Sequence, residues 1–201
     1  LTGLPPTPEE LDAFRKDKSG DAAAKVVDRL LASPHFGERW GRHWLDVARY
    51  ADTAGDGSDY PLPEAWRYRN WVINAFNTDM PFDRFVREQI AGDIIAGRGK
   101  PEAYADAVTA TGYLAIGKRY GYNPGPSFQH LDFADVIDSV GRGLMGLSLG
   151  CARCHDHKYE PVGMDDYYGL YGMLQSTVWA FPGGEEHKKP ANMVPLVPPA
   201  E

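Results

Sequence analysis

Two cysteines, the only ones in the chain, stand three apart with a histidine directly after the second, in the run Cys151-Ala152-Arg153-Cys154-His155-Asp156-His157-Lys158. C-x-x-C-H is the sequence form of covalent c-type haem attachment. Thiols at this spacing match the two vinyl-derived positions along one porphyrin edge, and the adjacent imidazole comes under the ring to take one axial site on iron. Such a motif constrains the rest of the chain, which must fold around a large flat group fixed at one point. C-x-x-C alone also serves redox dithiols and half zinc sites. A structural zinc site needs four ligands, and a second pair here would have to come from His157 with an acid or a distant His. A thioredoxin-like dithiol should follow a strand and open a helix within a βαβ unit, a pattern this sequence lacks. The zinc and dithiol readings stay open beside the haem reading.

The rest of the chain reads as helix. Thr7-Pro8-Glu9-Glu10 is a helix start, with a Thr cap, Pro in the first turn and acids at the positive end, and Leu11 and Phe14 form its apolar face. Ala22 to Leu31 predicts a second helix with Val26, Val27, Leu30 and Leu31 inward, ended by Ser33-Pro34. Glu38 to Ala51 carries the strongest pattern of the first half: Trp40, His43, Trp44, Val47 and Ala51 recur as one core-facing stripe. Helical spacing continues over Trp66 to Phe76, over Phe82 to Ile94 (Phe82, Phe85, Val86, Ile90, Ile94) and over the Ala-rich Glu102 to Ile116. Phe128 to Leu149 is the longest pattern and runs straight into the cysteine motif, with Gly143, Gly146 and Gly150 expected on a side-chain-free strip. A last helix spans Asp165 to about Thr177. No sustained period-2 alternation appears. The expected class is all-α, an irregular non-bundle helical array around a covalently attached haem, with long loops. Residues 1–181 form one domain and residues 182–201 a Pro/Gly-rich extended tail or linker.

Beyond Cys151, Cys154 and His155, the site candidates are His43, Arg42, His157 and Lys158. His43, inside its aromatic stripe, is either a core histidine or the iron ligand opposite His155. Another His, one of Met145, Met164 and Met173, or no protein ligand at all are the other options for that sixth position. Helical residues two apart point about 200° away from each other. His157 therefore faces away from the ring that His155 supports. With Asp156 and Lys158 it is expected to orient His155 or to pair with propionates. Arg67 and Arg69, among aromatics, suit cation–π stacking, a propionate clamp or surface ion pairs. Asp52, Asp56 and Asp59 sit in a polar loop but miss the D-x-[DN]-x-[DN]-G calcium spacing, which favours a solvated turn. The Gly117 to Pro126 loop is long enough to be a binding element.

Length and composition set outer limits. At 201 residues the chain can bury a substantial core. A net charge of −7 without a long basic run speaks against nucleic acid as a partner. The apolar run Leu144 to Leu149 is far too short to cross a membrane. The chain begins at Leu1 without Met, which reads as a processed or excised fragment of a larger protein. No signal peptide is visible, so an exported, periplasmic location is inferred from the haem c motif alone.

Several runs together resemble a known family. Leu1 to Pro8, Ser33-Pro34-His35-Phe36-Gly37-Glu38-Arg39-Trp40, Arg42-His43-Trp44-Leu45-Asp46, Ala48-Arg49-Tyr50-Ala51-Asp52 and Cys151 to Lys158 are similar to the planctomycete cytochrome c-like domain, PSCyt2 or DUF1549. The likeness covers nearly the whole chain except the Pro-rich tail. It implies a domain of a large exported multidomain protein, beside other modules, with Cys151, Cys154 and His155 for haem and no defined activity.

The leading expectation is an exported monohaem c-type cytochrome domain passing single electrons to a redox partner protein or an adjacent domain of the same polypeptide. A second is a metal-dependent, non-haem hydrolase or lyase whose ion is held by His155, His157 and a carboxylate such as Asp156 or Asp46. A third is a glycan-binding module using the aromatic helices and the Gly117 to Pro126 loop. Whether the domain is itself an enzyme is left open by the sequence.

Overall fold

Small residues, rather than the aromatic stripe, decide how the first strong helix packs. The computed structural model describes residues 1–55, 59–118, 120, 126–183 and 189–198. Helix α3 (Pro34–Val47) follows α1 (Pro8–Lys16) and α2 (Ala22–Leu31), and lies against α4 (Ala65–Asn77). Its buried positions are Gly37 and Gly41, continued by half-buried Trp44 and buried Ala48. A Cβ on Gly37 would sit 2.3 Å from the Ile73 carbonyl oxygen, so the two backbones approach as only glycine permits. Asn77 secures the crossing: its Oδ1 accepts from the Gly37 amide at 2.8 Å and its Nδ2 donates to the Pro34 carbonyl at 3.1 Å. The expected stripe is therefore turned outward, with Trp40 at 41% and Val47 at 44% exposure and His43 also exposed. The helix also stops earlier than its pattern suggests, because Arg49 takes a left-handed φ of 60° just past the end.

Helix α5 (Phe82–Ala96) repeats the lesson. It buries Phe85, Glu88, Gln89, Gly92 and Ala96, while Phe82, Ile90 and Ile94 are exposed. Phe85 closes an aromatic core with Trp44 (4.9 Å between centroids, edge-on) and Trp71 (5.2 Å, stacked). Inside it, the Trp44 indole N–H donates to both Tyr68 Oη and Gln89 Oε1 at 3.0 Å, and Tyr68 donates to the same Gln89 oxygen at 2.5 Å. Burial pushes the Tyr68 phenol well above its ordinary range, so it stays a neutral donor.

The expected helix over 102–116 is interrupted. A 3₁₀ turn (Pro101–Ala103) leads into α6 (Tyr104–Ala110), and α7 (Gly112–Ala115) follows after Thr111. The longest pattern is broken too. Helix α8 (Pro126–Val140) passes into a π turn (Gly141–Met145), Gly146 takes a left-handed φ of 67°, and a 3₁₀ turn (Leu149–Arg153) carries the cysteines. The three glycines do not share a strip. Cβ atoms on Gly143 and Gly150 would meet Val47 and Asp138 respectively, and one on Gly146 would meet nothing within 4 Å.

The last helix, α9 (Met164–Gln175), completes an all-α chain. Among the described residues the only bridges outside helices are Thr53 with Pro61 and Phe181 with Ala191. Ile137, Leu149, Ala152, Val162 and Tyr167 form a second core under the motif, separate from the aromatic one. Helices α1 and α2 bury no residue, so their apolar faces are at most half covered, contrary to the inward set expected for α2. The tail is extended, and its Leu196 packs on Ala96, Tyr104, Ala107 and Val108. No helix among the described residues is long and apolar enough to cross a membrane.

Candidate functional site

A 3₁₀ turn has three residues per turn, so side chains three apart eclipse one another. In Leu149–Arg153 this puts Leu149 (2% exposed) and Ala152 (0%) into the second core and leaves Cys151 and the following Cys154 outside. Both cysteines are free and exposed. A turn anchored on its apolar side thus presents two thiols at period three on the other.

His155 is exposed as well, and its Nδ1 lies 2.8 Å from the Asp156 carbonyl oxygen. A carbonyl only accepts, so Nδ1 carries the proton and Nε2 keeps its lone pair. That is the tautomer in which an imidazole ligates a metal through Nε2.

His157 is built the other way round. Its ring is only 9% exposed, and Nδ1 accepts from the Tyr159 amide at 3.1 Å and the Glu160 amide at 2.8 Å. Its proton therefore sits on Nε2, 3.6 Å from Glu160 Oε2. The imidazole closes the turn that follows the motif, helped by the His157 amide donating to the Val162 carbonyl at 2.8 Å. Asp156 is similarly occupied: its Oδ1 accepts from the Met164 amide at 2.9 Å and so caps α9, while Asp166 accepts from the Gly163 amide. Lys158 stands with its Nζ 5.2 Å over the Tyr159 ring. Among the described residues no three of His, Cys, Asp and Glu are grouped so as to hold a metal ion.

Glu160 is the residue that sequence reasoning missed. Its Oε2 accepts from the Ser148 amide at 2.7 Å and its Oε1 from the Ser148 hydroxyl at 3.3 Å. Ser148 precedes the 3₁₀ turn, so this carboxylate holds the entry to the motif from twelve residues downstream. Tyr168 on α9 ties the exit, donating to the Arg153 carbonyl at 3.0 Å. A Ser before the motif and a Glu after it were the visible signal, but nothing in the sequence pairs them.

The other candidates lie elsewhere. His43 and Arg42 are exposed on the outer face of α3, with the His43 ring 5.5 Å from that of Trp40. Val47 on the same face contacts Gly143 in the π turn that leads to the motif. Met145, Met164 and Met173 are all exposed. Arg67 combines an ion pair to Glu64 with stacking 4.7 Å over Trp66, and Arg69 lies 3.8 Å from Asp52. Asp52 also accepts from the Tyr50 hydroxyl. Asp56, most of the Gly117 to Pro126 loop and residues 184–188, including His187, lie outside the described residues.

The family PSCyt2, described as a protein of unknown function (DUF1549), matches residues 1–178. No curated protein and no solved structure matches the chain.

Proposed function

Because the chain belongs to the PSCyt2 (DUF1549) family, whose function is undefined, its role has to be argued from the motif, and we propose a monohaem c-type cytochrome domain. The observation that carries the reading is the shared outward face of Cys151 and Cys154, followed by an imidazole whose Nε2 is free to ligate. Cys151 and Cys154 would hold the porphyrin through two thioether bonds, and His155 would supply an axial nitrogen. The bound iron would cycle between ferrous and ferric states and so carry one electron.

The chain's own residues have narrower tasks. The Asp156 carbonyl fixes the His155 tautomer and makes the ring a stronger donor. Glu160, through Ser148, and Tyr168, through the Arg153 carbonyl, keep the turn from shifting. His43 is the proposed ligand for the opposite axial position, supported by its exposure on a face that reaches the π turn through Val47. Haem c is assembled after export, so the same reading places the domain in the periplasm or outside the cell. Its redox partner is another protein or an adjacent domain of the same polypeptide.

The test is expression with export and c-type maturation, followed by the alkaline pyridine spectrum. A haem c spectrum at one haem per chain is expected, lost in Cys151→Ser/Cys154→Ser, with His43→Ala changing only the coordination and spin state. A correctly exported, folded and colourless protein overturns the proposal, and stoichiometric zinc in its place favours the metal-enzyme reading.

A further inference from the structure

A cleft of about 520 Å³ opens where the end of α3 meets α8, lined by Arg49, Ala51, Thr53, Gly55, Lys118 and Asp135. Its volume is that of a small-molecule site, and none of its residues belongs to the cysteine motif. Two cations and one carboxylate line it, leaving one positive charge in excess.

The backbone around it is bent to make it. Arg49 has a φ of 60°, a left-handed conformation costly for a residue with a side chain, and Gly55 has a φ of 66° with its missing Cβ 3.6 Å from Lys118 Cα. A Cβ on Gly117 would stand 2.8 Å from Arg49 Nη2, so glycine there leaves room for the guanidinium.

That guanidinium is under-used. Nη2 donates a long hydrogen bond of 3.4 Å to the Ile116 carbonyl. Nε lies 2.8 Å from Asp135 Oδ2, but the approach is that of an ion pair and not of an aligned hydrogen bond. Nη1 is shielded and has no hydrogen-bond partner among the described residues. Arginine presents five donors in a planar fork that matches a carboxylate. Holding one in a strained conformation, with part of its fork unpaired, at the edge of a cleft that also carries Lys118 is what an oxyanion site requires.

We infer that this cleft binds a small monocarboxylate, of about the size of a sugar acid. One excess charge suits a monoanion better than a dianion. Ala51 and the glycine backbone suit the uncharged body of such a ligand, and Arg49 and Lys118 its carboxylate. The inference does not rest on haem, since no residue is shared with the cysteine motif.

The experiment is amide NMR titration of the full chain with D-glucuronate, and with acetate, sulfate and D-glucose as comparisons. Glucuronate is expected to shift the Thr53, Gly55 and Lys118 amides with an affinity of about 1 mM, and neutral glucose to leave them unmoved. Lys118→Gln should weaken it about fivefold, and Asp135→Asn, which removes the competing carboxylate, should strengthen it. Lys118 is a surface residue, so its variant keeps the test decisive if Asp135→Asn fails to fold. No shift at about 50 mM glucuronate overturns the inference, because affinity weaker than this is not a site. Sulfate or acetate binding as tightly as glucuronate, or an unchanged affinity in Lys118→Gln, overturns it too.

Discussion

Removing the Glu160 carboxylate should release the turn that presents the two cysteines. In Glu160→Ala the Ser148 amide loses its acceptor at 2.7 Å and the Ser148 hydroxyl loses its acceptor at 3.3 Å. Hydrogen bonds to a charged group contribute about 1.5–3 kcal/mol each when buried. The Glu160 side chain is 22% exposed, and the second bond is long. Water can therefore replace part of the loss, and about 1.5–3 kcal/mol in total is the reasonable expectation. For a chain of this size that corresponds to a fall in Tm of roughly 3–10 °C. Glu160→Gln retains an amide oxygen that can still accept from Ser148, so it should lose about half as much. Ser148→Ala removes only the long hydroxyl bond and should cost less than about 1 kcal/mol. Urea denaturation gives the order, and hydrogen exchange locates it. The Cys151 amide, bonded to the Ser148 carbonyl at 3.2 Å, should exchange about tenfold faster in Glu160→Ala. Equal losses for Ser148→Ala and Glu160→Ala, or unchanged exchange at Cys151, would refute the clamp.

Two other expectations follow from single contacts. Gly92→Ala would put a Cβ 1.9 Å from the Ala107 carbonyl oxygen, forcing α5 and α6 apart, and should cost about 1–3 kcal/mol or more in urea denaturation. At the junction of α1 and α2, the Ser19 hydroxyl and amide and then Lys25 hold the Asp17 carboxyl at a pKa of about 2, against an ordinary 3.8. A carboxylate with a lowered pKa contributes fully above pH 3.8 and loses its contribution as the pH falls through about 2. A carbon-13 titration should find that midpoint in the native chain and a return toward 3.8 in Ser19→Ala.

Helix positions were legible in the sequence because apolar and polar residues alternate at helical period. Which face is buried was not. In α3 the pattern gave weight to Trp40, His43 and Val47, and the true contact is made by Gly37, Gly41 and Ala48. Large side chains dominate any periodicity count, but a close backbone crossing selects residues with almost no side chain. Gln89 on α5 is hidden for a related reason: a polar residue can be fully buried when Tyr68 and Trp44 satisfy it. The break at Val140 was missed because Leu144 and Leu147 continue the apolar spacing after the helix has turned into a π loop. At the motif, spacing alone identified Cys151, Cys154 and His155 as one unit. It could not separate the jobs of His155 and His157, since these depend on which ring nitrogen meets a carbonyl and which meets an amide.

That separation of jobs bears on how the segment is to be understood. Around the motif almost every polar group is committed: Ser148 to Glu160, Asp156 to the start of α9, His157 to the turn amides, and the Arg153 carbonyl to Tyr168. Its apolar side chains, Leu149, Ala152 and Val162, are buried in the second core. Cys151, Cys154 and His155 are the exceptions. All three are exposed, the thiols are unpaired, and the His155 ring makes only a bond to its neighbour's carbonyl. A fold under selection for stability alone has no use for two solvent-facing thiols on a turn fastened at both ends. A site that must hold a large group in a fixed orientation needs that arrangement, with the holding residues free and the support rigid. The two sets of substitutions should therefore separate. Replacing the exposed three should leave the stability of the unloaded chain within about 0.5 kcal/mol and abolish haem loading. Replacing Glu160 should lower stability and leave the attachment residues chemically intact. If the cysteine variants destabilise the unloaded chain as much as Glu160→Ala does, the thiols are part of the packing and the motif is structural.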